Sequence, residues 1–410
     1  MTTDVVIIGA GLAGLTCARR LNEAGRGCVV LEAAETVGGR VGTEVVDGFL
    51  LDRGFQVLLT AYPEARRWLD YEKLELRAFT PGALVRMDGG LCRVADPLRE
   101  PRHLWATLRA PVGTMADKVR IATLRRRATR GELGDVLAKP ETTALEALRA
   151  HGFGEAMIER FLRPWLGGIF LENELTTSSR MMEFVFRMFA EGEAAVPARG
   201  MQAIPDQLAA GLPAGAVRLG ERVAALEGHG VRLASGEHVC ARDVVVATDG
   251  AAAARLLPEI VAPKWRATTT VYFAAERSPV NEGTLVLNGT GRGRVNHLAV
   301  MSDVAPTYSP DGRALIAVSL VGDVRESDAE LMARVRAELA EWLGADVNHW
   351  QWLKAIRVPQ ALPVRTPLVR EEARPLRDGV WVCGDHRDTA SIQGAMRSGR
   401  EVAEAIILRG

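Results

Sequence analysis

Two groups of residues, one near each end of the chain, have the types and spacing to do chemistry. The first is Gly9-x-Gly11-x-x-Gly14, followed 18 residues later by Glu32 and then by Gly38-Gly39-Arg40. Each glycine has a physical task in holding a dinucleotide. Gly9 allows the tight turn, Gly11 lets a pyrophosphate approach the backbone, and Gly14 lets a helix pack closely on a sheet. Glu32 is placed to accept hydrogen bonds from ribose hydroxyls, and Arg40 is a cation suited to a phosphate. The second group is Gly384-Asp385, a polar loop, and Ser391-Ile392-Gln393-Gly394-Ala395, with more small residues at Ser398 and Gly399. Small residues there allow a flat ring to lie against the backbone.

The elements that must position these residues are legible around them. Four apolar residues, Val5 to Ile8, read as a buried parallel strand running into Gly9, and a helical run follows that stops near Gly25. A phosphate would sit on that helix N-terminus, where unpaired N–H groups and the helix dipole favour negative charge. Cys28–Leu31 reads as the second strand, ended by Glu32. At the other end a short strand from Val380 stops at Gly384-Asp385, and a helix opens at Ser391. A lone glycine fingerprint is weak, but here strand, helix and acid agree. The fingerprint alone does not separate NAD from FAD; the Gly38-Gly39-Arg40 continuation does.

With that continuation the chain resembles the FAD-dependent flavin amine oxidase superfamily, whose members carry a GGR motif just after the acid. The segment GFLLDRGFQVLLTAYP, residues 48–63, is most similar to the phytoene and ζ-carotene desaturase branch. The resemblance places Gly54, Phe55 and Gln56 beside the flavin, with Gln56 where those desaturases usually have His. Ala198-Arg199-Gly200-Met201-Gln202 resembles the family's GGM segment, with Arg199 in place of its first glycine. The same resemblance implies that Val223 contacts adenine through its backbone, that Ala247 and Thr248 approach the pyrophosphate, and that Asp385 binds the ribityl chain. It also implies that N–H groups from Ile392 to Gly394 face the N1–C2=O edge of the flavin, where a helix N-terminus stabilises an anion by about 0.3–1 kcal/mol. Leu12, Ala13, Ala33, Ser391, Gln393 and Ala395 complete the expected cofactor contacts; family members usually show Glu at position 393. The family's covalent cysteine has no counterpart in 385–391, which implies noncovalent FAD.

The expected fold class is α/β: a Rossmann-like FAD-binding domain of the glutathione-reductase type with an inserted α+β substrate domain. Residues 1–76, 197–250 and 356–410 would form the first, and 77–196 and 251–355 the second. Val217–Leu219, Val223–Leu226, Val231–Leu233 and Val239–Ala247 read as a β-meander leading to a buried strand. Trp265–Ala275, Gly283–Leu287, Arg294–Met301 and Leu315–Val321 read as strands of the substrate domain, covered by a helix over Asp328–Leu343. Gly289–Gly293 reads as a hairpin loop and not as a second nucleotide site. Residues 77–195 read as short helical stretches broken by Pro97, Pro101, Pro111, Pro140 and Pro164.

Trp105, Met115, Phe161, Trp165, Ile169, Phe170, Met181, Met182, Phe184, Phe186, Met188 and Phe189 make that region rich in large apolar side chains. Most suit a helical core; the same composition also suits a large apolar pocket. The function expected is an FAD-dependent oxidoreductase acting on an isoprenoid- or carotenoid-like substrate, by desaturation or flavin-dependent isomerisation. An amine oxidase is the first alternative, opposed by the lack of Tyr, Phe or Trp between Asp385 and Ser391 and by Thr268 at the family's lysine position. A non-catalytic lipid-binding flavoprotein is the second, opposed by two intact motifs. No second strand–GxGxxG–helix unit occurs, so electrons are expected to leave to oxygen or a quinone. Gln56 and His386 are the candidates for catalytic groups near the flavin, and no metal-ligand spacing is present.

A chain of 410 residues suits two domains, and its zero formal net charge offers no general attraction to nucleic acid. The five cysteines are scattered without metal or redox spacing, which points to a reducing, cytoplasmic setting. The basic run Lys118–Arg130 reads as a solvated helix face, with peripheral membrane contact as the alternative.

Overall fold

The computed structural model describes residues 2–96 and 99–409; Pro97, one of the expected helix breaks, lies outside them. Two seven-stranded sheets organise the chain. In the first, Val217–Arg218, Cys28–Leu31, Thr2–Ile8, His238–Val246 and Val380–Val382 run parallel in that order. Val6 lies between Val29 and Val244. Both faces of its strand are covered, so the run Val5–Ile8 is apolar throughout instead of alternating. The N-terminal half of His238–Val246 pairs antiparallel with Gly230–Leu233, and that strand with Val223–Leu226, which is the meander read from the glycine spacing.

Helices Leu12–Glu23 and Ile392–Leu408 cross where a Cβ at position 399 would collide with the Ala13 carbonyl oxygen. Gly394 is likewise pressed on the Thr389 carbonyl. These glycines therefore let chain pack on chain, a different task from seating a ring. Ser398 is used locally too, its hydroxyl accepting from the Gly384 N–H at 3.2 Å.

The second sheet runs Gln351–Pro363, Trp265–Ala275, Ala314–Val321, Val295–Val300, Leu285–Asn288, Gly82–Met87 and Gly90–Ala95. All neighbours are antiparallel except Leu285–Asn288 with Gly82–Met87. Strand alternation divides its faces. Val271, Phe273, Val286, Leu298, Ile316 and Val318 pack under helix Asp328–Leu343, through Leu331, Val335 and Leu339. Tyr272, Ala274, Ala299, Leu315 and Ala317 turn to the other side. A register shift between Val295 and His297 keeps Val295 on the helix side and leaves His297 on the other.

Three expectations are corrected. Residues 77–195 are not only helical: Gly82–Met87 and Gly90–Ala95 form a hairpin through Asp88-Gly89, and this hairpin completes the second sheet. Pro164 does not end a helix: it lies just after the π-helical turn Ile158–Leu162, inside a helical run that continues from Glu155 to Phe170. The expected boundary at residue 356 also falls inside Gln351–Pro363, a continuous strand paired with Trp265–Ala275.

A buried carboxylate ties the segments together. Asp52, 2% exposed, accepts from the Thr43 hydroxyl at 2.5 Å, the Met201 N–H at 2.9 Å and the Tyr308 hydroxyl at 2.8 Å. Its carbonyl accepts from the Tyr272 hydroxyl at 2.8 Å. Burial outweighs these three bonds and raises its pKa to about 6.

Candidate functional site

The strand–turn–helix at the N-terminus fixes one end of a large cavity. Gly9 has φ +103, a conformation that glycine adopts without strain. A Cβ at Gly14 would strike the Gly9 carbonyl oxygen, whereas one at Gly11 would meet nothing within 4 Å. Gly14 thus serves packing, and Gly11 leaves open space. Gly11 caps helix Leu12–Glu23 without any side-chain hydrogen bond, so the first-turn N–H groups remain available to an anion. Across the gap, the Gly38 N–H donates to the Ala10 carbonyl at 2.8 Å and brings Gly38-Gly39 alongside the turn.

The cavity has a volume of about 1600 Å³. Sites for a single drug-sized ligand hold about 300–1,000 Å³, so this one has room for a dinucleotide and a second molecule. Of the sequence-derived cofactor contacts, Gly9, Gly11, Leu12, Ala13, Glu32, Ala33, Gly38, Gly39, Arg40, Gly54, Phe55, Gln56, Val223, Ala247, Thr248, Gly384, Asp385, Ser391, Ile392 and Ala395 line it. Gly14 and Gln393 do not. The buried Gln393 side chain turns away, its Oε1 accepting from the Glu64 N–H at 2.9 Å.

Glu32 is held by two backbone donors, the Ala10 N–H to Oε2 at 2.7 Å and the Ala34 N–H to Oε1 at 2.9 Å. Each carboxylate oxygen keeps a second lone pair, so the group can also accept from ribose hydroxyls. Arg40 and Asp385 both border the cavity and pair with each other. The guanidinium donates to both carboxylate oxygens, at 2.8 and 2.6 Å, and also to the Ala361 carbonyl at 3.0 Å. At the C-terminal helix the Ser391 hydroxyl accepts from the Gly394 N–H at 3.1 Å, leaving the N–H groups of Ile392 and Gln393 for a ligand.

His386 is displaced from the site that sequence reading gave it. It is buried but does not border the cavity; its ring packs against Gly384 and Gly250. Burial lowers its pKa to about 4, so it is neutral at pH 7. Gln56 does border the cavity. Its amide donates to the Arg40 and Arg53 carbonyls, both at 2.8 Å, while Oε1 is buried without a partner.

The far end is apolar. Helices Met115–Ala128, Arg163–Phe170 and Ser179–Glu191 and the inner face of the second sheet enclose it. On Ser179–Glu191, Met181, Val185, Phe186 and Phe189 face the cavity, whereas Met182, Phe184 and Met188 fill the core behind it. Trp165 is the hub of this wall, with Phe186 at 5.1 Å and Phe189 at 5.3 Å between ring centroids. Trp105 is not part of it; this residue is 69% exposed, and Met115 and Val119 are exposed too.

A profile of the flavin containing amine oxidoreductases matches residues 12–407. The chain belongs to that family. It is therefore an FAD-dependent oxidoreductase, and the open glycine cradle with its free N–H groups fits a flavin dinucleotide. A 15-cis-phytoene desaturase of an Oncidium hybrid cultivar is 24% identical over 98% of this chain and 78% of its own length. Among solved structures, a putative protoporphyrinogen oxidase from Exiguobacterium sp. 255-15 superposes with a TM-score of 0.71 at 19% identity, covering 100% of this chain and 99% of that one. Cyclohexylamine oxidase from Brevibacterium oxydans superposes with 0.72 at 17% identity, covering 99% of each.

Among the cavity residues that sequence reading missed, one is a histidine. His297 is buried, borders the cavity and stacks edge-on with Phe55 at 4.7 Å. Its signal was present: Asn296-His297 is a polar pair in the middle of the apolar strand Val295–Val300.

Proposed function

We propose that this protein acts on an apolar, isoprenoid- or carotenoid-like substrate, by desaturation or flavin-dependent isomerisation, with FAD bound noncovalently. The observation that carries this reading is the continuity of one cavity from the glycine turn to a wall of Phe161, Trp165, Ile169, Met181, Phe186 and Phe189. FAD, when bound, supplies the hydride acceptor. The protein's share is binding and exclusion of water. The N–H groups at the Gly11 turn receive the pyrophosphate, Glu32 the ribose, and the aromatic wall keeps the reacting carbon dry.

The five parallel strands around Thr2–Ile8 support a Rossmann-like domain of the glutathione-reductase type, comprising about 1–76, 197–250 and 364–410. The second sheet and the helices facing it then form the inserted substrate domain, about 77–196 and 251–363. Against an amine substrate stand two features. The wall from Asp385 to Ala395 offers Ala390, Ser391 and Ile392 but no aromatic ring, and Thr268 donates its hydroxyl to the Leu320 carbonyl at 2.9 Å. The electron acceptor of this reading is oxygen or a quinone. A passive lipid-binding role is disfavoured by the open Gly11 cradle.

The reading extends to the cavity mouth. Leu104, Met115 and Val119 border it and are exposed, next to exposed Trp105. In the basic run, Lys118 is tied to the Leu108 and Ala110 carbonyls, and Arg125 to Asp96. Apolar side chains, more than positive charge, thus favour peripheral contact with a membrane from a cytoplasmic location. Among the described residues no helix is long and apolar enough to cross one.

Mass spectrometry of lipids released from purified protein tests the substrate class. An isoprenoid is expected, and consistent recovery of polar amines would contradict it. Acid precipitation tests the mode of binding: flavin is expected in the supernatant, and colour retained by the pellet would show a covalent link.

A further inference from the structure

His297 is 97% buried, counting from its 3% exposure, in a chamber whose other walls are largely apolar. Its tautomer follows from its neighbours. Asn296 Nδ2 lies 2.9 Å from the Pro164 carbonyl oxygen, which only accepts, so that atom is the amide nitrogen. The same nitrogen lies 2.9 Å from His297 Nδ1 and donates its second hydrogen there. Nδ1 is therefore an acceptor, and the proton of the neutral ring sits on Nε2. That N–H has no acceptor in the protein.

The arrangement is built, not incidental. Gly168, in helix Arg163–Phe170, leaves room for the pair: a Cβ there would come within 2.9 Å of both Asn296 Nδ2 and His297 Nδ1. Phe55 packs against the ring, with centroids 4.7 Å apart and planes at 75°. Nε2 is shielded from solvent, so bulk water does not satisfy it. An unmade hydrogen bond at a buried donor is costly, and a ligand that brings an acceptor removes that cost.

We propose that His297 is a positioning residue that donates from Nε2–H to a carbonyl or hydroxyl oxygen of the apolar substrate, once Phe55 swings aside. This rests on the apolar-substrate reading and narrows it. The occupant is an oxygen-bearing isoprenoid, oriented by that oxygen, and not a plain hydrocarbon. Phe55 belongs to the segment placed beside the flavin, so the oxygen sits at the flavin end of the chamber.

The test compares two ligands on the FAD-loaded protein: geranylgeranial and the matching hydrocarbon with methyl in place of the aldehyde. Binding is read anaerobically from perturbation of the flavin spectrum. Wild type is expected to prefer the aldehyde by about tenfold, the fold-change one hydrogen bond supplies. His297→Leu should abolish the preference, and His297→Gln, which retains a donor, should restore part of it. Gly168→Ala, which displaces the pair but keeps the imidazole, should reduce the preference as well. Equal binding of both ligands by wild type, or equal weakening of both by His297→Leu, would overturn the assignment of His297 and leave the apolar reading standing. Failure of wild type to bind either ligand would overturn both.

Discussion

The two ends of the cavity are built on different principles. At the dinucleotide end the backbone does the work: the Gly9 turn, the uncapped helix at Gly11 and a single carboxylate held by Ala10 and Ala34. At the apolar end side chains do it. Phe161, Trp165 and Phe189 project from helices, and Leu285, Leu287 and His297 project from strands of the second sheet. Backbone geometry tolerates almost no substitution, whereas a wall of methionine and aromatic rings can be repacked. The difference implies that the first end specifies a cofactor closely and the second selects a class of molecule.

The strongest way to break this comparison is at Gly14. Gly14→Val would drive a side chain into the Gly9 carbonyl and shift the turn. FAD affinity should fall more than a hundredfold, roughly 3 kcal/mol or more, measured as flavin content of purified protein. A fully flavinated variant would show that the turn is not held by backbone packing.

Next is Asp52, which ties Thr43, Met201, Tyr272 and Tyr308 together. Its folded-state pKa, about 6, lies above the unfolded value, so the folded protein takes up a proton between about pH 4 and 6. Its contribution is favourable below the unfolded pKa and is lost as pH rises through 6. Asp52→Asn can still accept from Thr43 and Met201 and interact with Tyr308, without the buried charge. It should flatten that part of the stability profile and gain on the order of 3 kcal/mol at neutral pH relative to pH 4. Denaturant melts of both proteins across this range test it; parallel profiles would refute the buried-charge account.

Glu32→Ala sharpens the cofactor side. Loss of a charge-assisted acceptor costs about 1.5–3 kcal/mol, or ten- to a hundredfold in FAD affinity. Calorimetric titration of the apoprotein checks this, and unchanged affinity would remove Glu32 from the ribose site. The smallest effect on folding is expected at the mouth. Trp105→Ser with Val119→Ser should change stability by no more than about 0.5 kcal/mol, since both side chains are exposed. Sedimentation with phosphatidylglycerol-containing vesicles should nevertheless drop. Undiminished sedimentation would show that this surface does not meet the membrane.

The same contrast explains what could be read from the sequence. Gly9 to Arg40 is a local unit, and Trp265–Ala275 and Asp328–Leu343 coincide with the elements read from periodicity alone. Gly82–Met87 carries a local signal that the helical reading passes over, the Asp88-Gly89 turn into Gly90–Ala95, whereas its other partner, Leu285–Asn288, lies far along the chain. The Arg40–Asp385 pair spans 345 positions and was unreadable for the same reason. His386 does not border the cavity, because adjacency to Asp385 in sequence says nothing of which way a buried ring turns. His297 was hidden in a strand scored for its apolar residues, although two adjacent polar side chains there were the visible clue.

The central claim is that a cofactor fixed by backbone and an apolar molecule selected by side chains meet in one cavity. Anaerobic mixing of the FAD-loaded protein with a detergent-solubilised isoprenoid polyene, alongside simple amines and polyamines, tests it most directly. Loss of the visible flavin absorbance with the polyene alone, or conversion of the polyene only after prior flavin reduction, is the predicted result. Rapid stoichiometric bleaching by a primary or secondary amine, with the polyene inert in both flavin states, would contradict it.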